Sequence, residues 1–384
     1  MSVKVCAVTS SRADWGILVP VLALLRDDPA FDLSIVVTGQ HVATGAGDTA
    51  RDIAADGFKI AETIDMQLTG DTPEAVTASL ATAIKGYGAA YARLKPDLLL
   101  VLGDRYEIQG AVTAAMLASI PVAHIAGGDV TEGAIDDALR HAMTKMSHLH
   151  FVTTEDAGRR VRQLGEDPAR VFVTGSPGLD RIRTAVLMDR DAFFAAVGLK
   201  PGKKNLMVTF HPETLAADTE NHCREMLAAL DRLGPDVGLL FSGTNADVHG
   251  ATIGALIADF VAKHANAVLH ASLGSVRYFS ALNHVDAVVG NSSSGLYEAP
   301  SFGIPTVNIG DRQKGRTRAA SVIDVVPQRD AIFGAIQKAF ALDCRSVVNP
   351  YGDGHAAERI VAQLKTLHEP KALLKKRFVD WSAP

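Results

Sequence analysis

The sequence Leu98-Leu99-Leu100-Val101-Leu102-Gly103-Asp104-Arg105 joins five consecutive apolar residues to a polar turn. An apolar run without alternation is typical of a strand that is covered on both faces, as in a parallel sheet. A helical stretch, Gln109–Ala118, follows after a few residues. This order of strand, turn and helix predicts an α/β fold with the turn at the carboxyl end of a parallel sheet.

The same alternation of strand and helix runs through the whole chain. We expect strands at Val3–Val8, Leu33–Val37, Leu98–Leu102, Val122–Ile125, Leu149–Thr153, Leu206–Phe210, Val237–Ser242, Val285–Val289 and Thr306–Ile309. We expect helices at Glu74–Leu94, Gln109–Ala118, Asn221–Leu233 and Gly250–Lys263. Glycine and proline interrupt the pattern at Gly175-Ser176-Pro177-Gly178. The sequence therefore predicts two doubly wound domains, residues 1–175 and 176–364. Whether the tail, residues 365–384, packs back on the first domain is left open by the sequence.

The composition excludes several classes of protein. The chain has 384 residues, of which 47% are hydrophobic and 21% charged, which is enough to build the cores of two domains. The net charge is −5 and no basic stripe precedes Lys375, so we predict no nucleic-acid partner. The three cysteines lack the spacing of a metal site or a disulfide framework. There is neither a signal peptide nor an apolar run of about 18 residues, so we predict a soluble cytoplasmic protein with no membrane partner.

The strongest functional signal lies in Gly290-Asn291-Ser292-Ser293-Ser294-Gly295-Leu296-Tyr297-Glu298, which directly follows a predicted strand. Serine hydroxyls beside the unpaired N–H groups of a helix start favour an anion site. Glu298 is placed to accept hydrogen bonds from a ribose diol. The alternative is a serine N-cap with a glutamate of the capping-box type. The next post-strand loop is basic, with Arg312, Lys314 and Arg316, and together the two loops suit a diphosphate; each of these cations alone is equally explained as part of a solvated surface.

Three further residues follow predicted strands and are weaker candidates for contacts with a nucleotide. His211 stands at a strand end, where it is able to donate to a phosphate or to serve only as a structural histidine. Asn245 follows the next strand. Arg12 lies in the loop after the first strand, which is not a G-x-G-x-x-G loop, and offers a cation to the cleft between the domains; its alternative is a surface ion pair.

Carboxylates are dense around a glycine-rich segment of the first half. They are Asp104, Asp129, Glu132, Asp136 and Asp137. Carboxylates that share one site have proton affinities that are pushed apart, as acid–base chemistry at a sugar carbon requires. Asp104 is a candidate general base, with a helix N-cap as the alternative. In the helix that follows, we expect a core stripe of Ile135, Leu139, Ala142, Met143 and Met146. Asp136 and Arg140 lie at i,i+4 on its edge; a helix ion pair would explain that spacing but not the density of carboxylates.

These motifs together resemble the hydrolysing UDP-N-acetylglucosamine 2-epimerase family, which includes bacterial enzymes of the sialic-acid and legionaminic-acid pathways. The resemblance covers essentially the whole chain. It rests on Ser11-Arg12-Ala13-Asp14, Thr38-Gly39-Gln40-His41, Gly103-Asp104-Arg105, Gly127-Gly128-Asp129, Ile135-Asp136, Arg140-His141, His211-Pro212-Glu213-Thr214, Gly290-Asn291-Ser292-Ser293-Ser294-Gly295 and Gly310-Asp311-Arg312-Gln313.

The resemblance implies two Rossmann-like domains of the glycosyltransferase-B type, with the active site in the cleft between them and UDP held mainly by the second domain. It implies release of UDP from UDP-N-acetylglucosamine through a glycal, followed by addition of water to give N-acetylmannosamine, with no cofactor and no metal. The candidate catalytic residues are Asp104, Asp129, Glu132, Asp136 and Arg140. The candidate substrate-binding residues are Arg12, His41, His211, Asn245, Ser292, Ser293, Ser294, Glu298 and Arg312.

One position departs from the family pattern. Many relatives carry a carboxylate where this chain has Ala126, so that role falls to Asp129, Glu132 or His124. The departure leaves open a UDP- or GDP-linked 2,4-diacetamido-2,4,6-trideoxyglucose as the substrate. A non-hydrolysing epimerase, a retaining glycosyltransferase and a non-catalytic UDP-sugar-binding regulator are further alternatives. We also expect a homo-oligomer, a dimer or a tetramer, as is common for soluble enzymes.

Overall fold

A computed structural model of the chain describes residues 2–42, 49–70, 72–132, 135–212, 218–243 and 250–380. The chain divides into two compact units, one formed by Met1–Arg181 with Tyr351–Pro384 and the other by Ile182–Pro350. Each unit is built on one sheet. Among the described residues, none of the helices combines the length and the apolar character that crossing a bilayer requires.

Within the described residues, the sheet of the first unit has seven strands, all parallel to their neighbours. They are β1 Val3–Thr9, β2 Phe31–Val37, β3 Ile60–Thr63, β4 Leu98–Leu102, β5 Val122–Ile125, β6 Leu149–Val152 and β7 Val171–Val173. Their order in the sheet is β3-β2-β1-β4-β5-β6-β7. The order reverses direction between β1 and β4, which defines a doubly wound sheet.

In the second unit, the part of the chain that the structure describes forms a sheet of six strands, again all parallel. They are β8 Lys204–Thr209, β9 Val237–Ser242, β10 Ala267–His270, β11 Ala287–Gly290, β12 Thr306–Ile309 and β13 Val322–Val325. Their order is β10-β9-β8-β11-β12-β13, with the reversal between β8 and β11. The two units therefore repeat one topology, as the alternation of apolar runs and helical stretches predicts.

Helices connect the strands. They are α1 Arg12–Arg26, α2 Thr49–Ala55, α3 Pro73–Leu94, α4 Tyr106–Leu117, α5 Ile135–Met146, α6 Glu155–Gln163, α7 Asp180–Thr184, α8 Arg190–Val197, α9 Thr219–Asp231, α10 Gly250–Lys263, α11 Gly274–His284, α12 Ser294–Tyr297, α13 Arg329–Ala341 and α14 Ala356–Lys365. Single 3₁₀ turns occur at Gly39–His41, Pro168–Arg170, Pro177–Leu179, Ala299–Phe302 and Pro370–Leu374. Apolar side chains of the central strands and of these helices form separate cores in the two units.

The limits of the first unit differ from the predicted domain of residues 1–175. The carboxylate of Asp180 accepts hydrogen bonds from the backbone N–H groups of Ala356, at 3.0 Å, and Ala357, at 2.7 Å, and so caps α14. Ile360 and Leu364 of α14 are fully buried in the same core as α1. Because of these contacts the first unit extends to Arg181 and takes back the chain at Tyr351, whereas the prediction left residues 351–364 in the second domain.

The described part of the tail, up to residue 380, also contacts the first unit. Lys376 Nζ donates to the backbone oxygen of Ser147 at 2.6 Å and forms an ion pair with Glu166 at 2.7 Å. The backbone N–H of Val379 donates to the oxygen of Gly165 at 3.0 Å. These bonds attach the tail beside the end of α6.

Candidate functional site

The predicted site residues lie at the carboxyl ends of strands beside the two points where strand order reverses. In the first unit, Arg12 follows β1 and Asp104 follows β4. In the second, His211 follows β8 and Ser292–Ser294 follow β11. A topological switch point leaves a crevice at the end of a parallel sheet because the neighbouring connections go to opposite faces. The fold thus places the candidate residues of each unit where open α/β sheets bind ligands.

Arg140 is the centre of the cluster in the first unit. Its side chain is only 4% exposed. Its Nε donates to Asp104 Oδ2 at 3.0 Å, and its Nη2 makes a second, shorter bond to the same oxygen. Asp104 does not serve as the N-cap of α4, which is Arg105. The structure therefore replaces the N-cap explanation of Asp104 by an ion pair with a buried guanidinium.

The remaining donors of Arg140 are also used. Its Nη1 donates to the backbone oxygen of Asp129 at 2.6 Å and to Asp137 Oδ1 at 3.1 Å, and its Nη2 donates to Thr131 Oγ1 at 2.9 Å. Asp137 Oδ1 accepts from the backbone N–H of Thr131 as well, at 2.7 Å. A buried charge is tolerated only when it is paired and hydrogen-bonded, and Arg140 meets that condition. It thereby fixes three chain segments relative to one another.

Helix α5 differs from its prediction. Arg140 pairs with Asp104 and Asp137, and the described contacts include no ion pair between Asp136 and Arg140, so a helix ion pair does not explain the i,i+4 spacing of these two residues. The core stripe was wrong in part, because Ile135 is 76% exposed while Arg140, Met143 and Thr144 are buried. The buried face of α5 is polar at its start because it faces the carboxylate cluster.

Asp136 lies in the first turn of α5 and is half-buried. Burial and the nearby negative charge of Asp104 raise the pKa of the Asp136 carboxyl, while Arg105 and Arg140 oppose the shift. The two carboxylates that were predicted to act together thus have different environments: Asp104 is bound to a guanidinium and Asp136 is held as a weaker acid. Such a pair is suited to moving a proton at a substrate atom.

The other two predicted carboxylates are placed differently. The carboxylate of Asp129 accepts from the Thr153 hydroxyl at 2.8 Å, which ties the glycine-rich loop to the end of β6. Glu132 is exposed, and the described contacts do not join it to Asp104, Asp129 or Arg140. The structure therefore brings Asp129 into the cluster and leaves Glu132 outside it.

Ala126, where many relatives carry a carboxylate, has a positive φ of 64°. This left-handed conformation is uncommon for a residue with a Cβ atom, and strained backbone of this kind clusters at functional sites. His124, two residues earlier, is fully buried and its Nε2 bonds to the oxygen of Gly103 at 2.7 Å. Burial lowers the pKa of His124 to about 4, so the ring is neutral at pH 7. His124 supports the turn before Asp104 and is not exposed to a ligand.

The loop after β1 contributes Arg12 and its neighbours. The side chain of Arg12 is 76% exposed and pairs with Asp52 at 3.0 Å. His41 is buried, and its Nε2 lies 3.0 Å from the Thr9 hydroxyl. Burial lowers the pKa of His41, against the charge of Asp14. Arg12 is thus accessible to a ligand, while His41 fixes the end of β1.

Sequence reasoning missed the ion pair between Arg105 and Glu107, next to Asp104. Arg105 Nη2 donates to Glu107 Oε1 at 2.9 Å, and the Glu107 side chain is 1% exposed. Both residues belong to the segment that contains Asp104. A glutamate in the first turn of a helix is an ordinary surface residue by pattern, so only its burial in the folded chain reveals the pair.

In the second unit, the side-chain amide of Asn291 bonds to the backbone of His211. The N–H of His211 donates to Asn291 Oδ1 at 2.7 Å, and Asn291 Nδ2 donates to the oxygen of His211 at 2.8 Å. Gly290 has a φ of 136°, and a Cβ there would lie 1.9 Å from the oxygen of Thr209. Only glycine permits this close approach of the ends of β8 and β11. The approach places His211 beside Ser292–Ser294, the loop that follows β11.

The loop Ser292–Ser294, called the serine loop below, is explained only in part by capping: Ser292 Oγ accepts from the backbone N–H of Ser294, the first residue of α12, at 3.4 Å. Ser293 is the N-cap of α12, but its side chain makes no capping bond. The Ser294 hydroxyl donates to Ser292 Oγ at 3.2 Å. Glu298 lies at the C-terminal end of α12, so it does not form a capping box. Among the three serines, a capping-type bond thus involves Ser292 and not the N-cap residue Ser293.

Glu298 is a half-buried residue with one enclosed carboxylate oxygen. Its Oε2 is enclosed and has no hydrogen-bond partner within the described ranges. Burial raises the pKa of Glu298 to about 7, and the charge of Arg316 opposes that shift. An enclosed carboxyl that lacks a donor is suited to a ligand with hydroxyl groups, such as a ribose diol.

The basic loop after β12 divides into supporting and exposed cations. Arg312 Nη1 donates to the oxygen of Asn291 at 3.2 Å, and Gln313 Nε2 donates to the same oxygen at 2.8 Å. The Arg316 guanidinium lies 5.6 Å from the centre of the Tyr297 ring, and Lys314 is exposed. Arg312 is thus placed beside the serine loop as predicted. The remaining candidate, Asn245, lies outside the described residues.

Two parallel α/β units of this kind, with polar residues at the switch point of each sheet, define a protein of the glycosyltransferase-B fold class. The chain belongs to the UDP-N-acetylglucosamine 2-epimerase family, whose model matches residues 23–365. This confirms the family and the fold that the motifs predict.

Three characterised relatives cover most of the chain. A GDP/UDP-N,N'-diacetylbacillosamine 2-epimerase (hydrolyzing) from Campylobacter jejuni is 37% identical over 323 residues, which are 84% of this chain and 84% of the relative. The polysialic acid biosynthesis protein P7 from Escherichia coli is 35% identical over 98% of this chain and 97% of its own length. A UDP-N,N'-diacetylbacillosamine 2-epimerase (hydrolyzing) from Legionella pneumophila is 34% identical over 97% and 98%.

Solved structures support the fold. The S. aureus MnaA–UDP complex matches the whole of both chains with a TM-score of 0.77 and 19% identity. The UDP-GlcNAc 2-epimerase of Neisseria meningitidis, bound to UDP-GlcNAc, matches 94% of this chain and all of its own, with a TM-score of 0.73 and 20% identity. At this level of identity the likeness concerns the fold alone.

Proposed function

We propose that this epimerase is of the hydrolysing type and that it releases UDP from a UDP-linked 2-acetamido sugar while it inverts carbon 2. The observation that carries the proposal is the pair of unlike carboxyls, Asp104 bound to buried Arg140 and Asp136 held with a raised pKa. Inversion at a carbon needs one group that removes a proton and another that returns it on the opposite face.

The reaction proceeds in two balanced steps. In the first, a carboxylate takes the proton from carbon 2, a double bond forms between carbons 1 and 2, and the electron pair of the carbon 1–oxygen bond leaves with UDP. In the second, water gives its hydroxyl to carbon 1 and its remaining proton to a carboxylate, while a carboxyl returns a proton to carbon 2. We assign these proton transfers to Asp104 and Asp136, with Asp129 as the third carboxylate of the cluster. We choose Asp129 and not Glu132 as the third carboxylate because Arg140 contacts the backbone of Asp129.

We assign the nucleotide to the second unit. The hydroxyls of Ser292–Ser294 and the Arg312 guanidinium suit the diphosphate, and the enclosed Glu298 suits the ribose diol. Donors that are already fixed before the reaction stabilise the charge that develops on the leaving phosphate without a cost of reorganisation. His211 is placed to donate to the same group.

Two substrates compete within this proposal. The family description names UDP-N-acetylglucosamine. Two relatives that are 37% and 34% identical are named for N,N'-diacetylbacillosamine nucleotides, and one of these names includes the GDP form. A third relative, 35% identical over 98% of this chain, is named for polysialic acid biosynthesis, so the relatives support both sugars. We place both substrates in the test.

The test is an NMR time course in deuterated water with each UDP-sugar, and with the GDP form of the diacetamido sugar. Free nucleotide is followed by phosphorus and carbon 2 by its proton signal. We expect free UDP together with a 2-epimerised sugar that carries deuterium at carbon 2. UDP retained on the epimerised sugar would identify a non-hydrolysing epimerase. UDP binding without any turnover of the three sugars would instead support the regulatory alternative and overturn the proposal.

We further propose that the enzyme works in the cytoplasm as a dimer or tetramer, as predicted from the sequence. Size-exclusion chromatography with light scattering tests the oligomeric state, and a mass equal to one chain of 40.6 kDa would contradict it.

A further inference from the structure

Glu107 has no role in the mechanism so far, although its side chain is among the most buried carboxylates of the first unit. It is 1% exposed and lies in the first turn of α4, three residues after Asp104. Its Oε1 accepts from Arg105 Nη2 at 2.9 Å. Its Oε2 is enclosed and has no hydrogen-bond partner in the part of the chain that the structure describes.

The surroundings of Glu107 are fixed on two sides. The buried Tyr87 hydroxyl donates to the backbone oxygen of Glu107 at 3.1 Å, which holds the first turn of α4. Gly39 has a φ of 57°, and a Cβ there would lie 3.3 Å from Glu107 Oε1 and 2.9 Å from the oxygen of Ser10. The turn after β2 therefore covers the carboxylate closely. A buried carboxylate without its counter-charge is costly, so Arg105 is held in place.

Arg105 is the partly exposed member of the pair. Its side chain is 35% exposed, and its Nε has no hydrogen-bond partner within the described ranges. Burial lowers the pKa of Arg105, but the hydrogen bond and the charge of Glu107 outweigh this effect and raise it. The charge of Arg105 in turn lowers the pKa of Asp136, against burial and Asp104. Arg105 is thus a fixed cation close to the acid–base carboxyls.

We propose that Glu107 is a positioning residue that holds the Arg105 guanidinium against the leaving diphosphate of the substrate. This inference rests on the proposed function. Carbon 1 carries the diphosphate and is bonded to carbon 2, so a cation beside the carboxyls that act on carbon 2 lies within reach of the phosphate. When the carbon 1–oxygen bond breaks, the electron pair moves to that oxygen, and the guanidinium stabilises the resulting charge.

The test is a double-mutant cycle on the rate of UDP release. We expect Arg105→Gln to lower kcat by about 100-fold or more, and Glu107→Gln to lower it by about 10- to 100-fold, as for the loss or misplacement of one donor to a developing charge. Because Glu107 acts through Arg105, we expect Glu107→Gln to change kcat by less than about 2-fold when Arg105 is already glutamine. UDP affinity of Glu107→Gln, measured by calorimetry, should stay close to the wild-type value.

A matched control is Glu62→Gln. Glu62 accepts two hydrogen bonds from Arg93, at 2.7 and 2.9 Å, and belongs to the same unit but not to the site. We expect this variant to keep the wild-type kcat. Equal losses from Glu107→Gln in both backgrounds would show a structural role and overturn the inference, as would an unchanged kcat.

Two further measurements keep the outcomes distinct. If circular dichroism shows that Glu107→Gln does not fold, Arg105→Lys provides the test, since lysine keeps the charge but not the planar donors that Glu107 orients. A wild-type kcat for Arg105→Lys would then overturn the inference. A wild-type enzyme that releases no UDP from any of the three sugars would overturn the proposed function, and this inference with it.

Discussion

Asp104 and Asp136 follow neighbouring strands, yet the fold stabilises the negative charge of Asp104 and disfavours that of Asp136. Asp104 accepts two hydrogen bonds from Arg140, whose side chain is 4% exposed. Asp136 is half-buried without an ion pair among the described residues, and burial and Asp104 raise its pKa. A carboxyl with a raised pKa makes the folded protein less stable above that carboxyl's ordinary range, because the charged form is disfavoured in the fold. Removing the Asp104 carboxylate should therefore destabilise the fold, whereas removing the Asp136 carboxylate should not.

Our first prediction compares Asp104→Asn with Asp136→Asn at pH 7. Both variants should lose about 100- to 10,000-fold in kcat, the usual effect of removing an acid–base group. Asp104→Asn should also lower the free energy of unfolding by about 1–3 kcal/mol, because it leaves buried Arg140 with Asp137 as its remaining carboxylate. Asp136→Asn should unfold at the wild-type midpoint or above it. Chemical denaturation measures both, and a destabilised Asp136→Asn would contradict the assigned environments.

Our second prediction concerns Glu298, the pKa of which is raised to about 7 by burial. A diol donates to the charged carboxylate, so binding favours the deprotonated form. UDP affinity should therefore rise as the pH increases from 6 to 8, and binding below pH 7 should release a proton. Calorimetry in buffers of different ionisation enthalpy measures both effects. Glu298→Gln should bind more weakly and without this pH dependence; an unchanged slope in that variant would place the titrating group elsewhere.

The sequence predicts those site residues whose role follows from their position along the chain, and not those whose role depends on contacts with distant residues. Asp104, Ser292 and Arg312 follow strands, and the rule that ligands bind at strand carboxyl ends is enough to select them. The Arg105–Glu107 pair is hidden because its importance comes from burial under the turn at Gly39, which is distant in sequence. His124 was one of the candidates for the role of the carboxylate missing at Ala126. Only its complete burial shows that it supports the turn before Asp104 instead.

Among the elements, the strands divide into those the sequence predicts and those it does not. All nine predicted strands are present, and the four that were missed, β3, β7, β10 and β13, are the two edges of each sheet. An edge strand is covered less completely, so its residues need not be apolar: β3 reads Ile-Ala-Glu-Thr and β13 reads Val-Ile-Asp-Val. The apolar-run criterion therefore detects central strands only.

Helix α5 shows a case in which hydrophobic periodicity does not predict the buried face. Periodicity assigns its apolar residues to the core, but the first turn faces the carboxylate cluster and not a core. Ile135 is consequently 76% exposed, and Arg140 takes a buried position. Periodicity identifies the buried face of a helix only where that face packs on apolar neighbours.

Our third prediction concerns the segment that attaches the tail to α5 and β6. Burial alone would raise the pKa of Glu166, but hydrogen bonds from His150, Lys145 and Lys376 outweigh it and lower the pKa to about 2. A lowered carboxyl pKa adds stability above the carboxyl's ordinary range, and this stability is lost as the pH falls towards 2. His148 acts in the same direction, because burial lowers its pKa to about 4, so protonation favours the unfolded chain below about pH 6.5.

Glu166→Gln should therefore lower the free energy of unfolding by about 2–3 kcal/mol at pH 7, somewhat less than for a fully buried pair. The difference from wild type should shrink as the pH falls from about 4.5 to 2. Thermal unfolding across this pH range measures it. The control is Glu220→Gln, which removes an exposed pair with Arg224 and should cost less than about 0.5 kcal/mol. A difference that does not depend on pH would show that Glu166 does not carry the effect.

At the scale of the whole molecule, the chain leaves the first unit after Arg181 and returns to it at Tyr351. The predicted boundary at residue 175 relied on a local interruption by glycine and proline. The return of α14 depends on contacts between residues that are far apart in sequence, such as Asp180 with Ala356, and no local pattern reports them. The number and type of the domains were predictable from periodicity, whereas their limits follow from tertiary packing.

Our last prediction follows from this connectivity. The cores of the second unit lie wholly within Ile182–Pro350, so we expect that segment to fold by itself and to bind UDP. Residues 1–181 alone should not unfold cooperatively, because they lack Ile360, Val361 and Leu364, and each buried side chain of this kind contributes about 1.5–3 kcal/mol to a marginal total. Joining residues 1–181 to 351–384 through a short glycine–serine linker should restore folding, since the N–H of Ser176 lies 2.7 Å from the oxygen of Tyr351 and the two ends are adjacent. Calorimetric melting of the three fragments provides the measurement. Cooperative melting of residues 1–181 at the temperature of the linked fragment would show that α14 is dispensable to the core of the first unit.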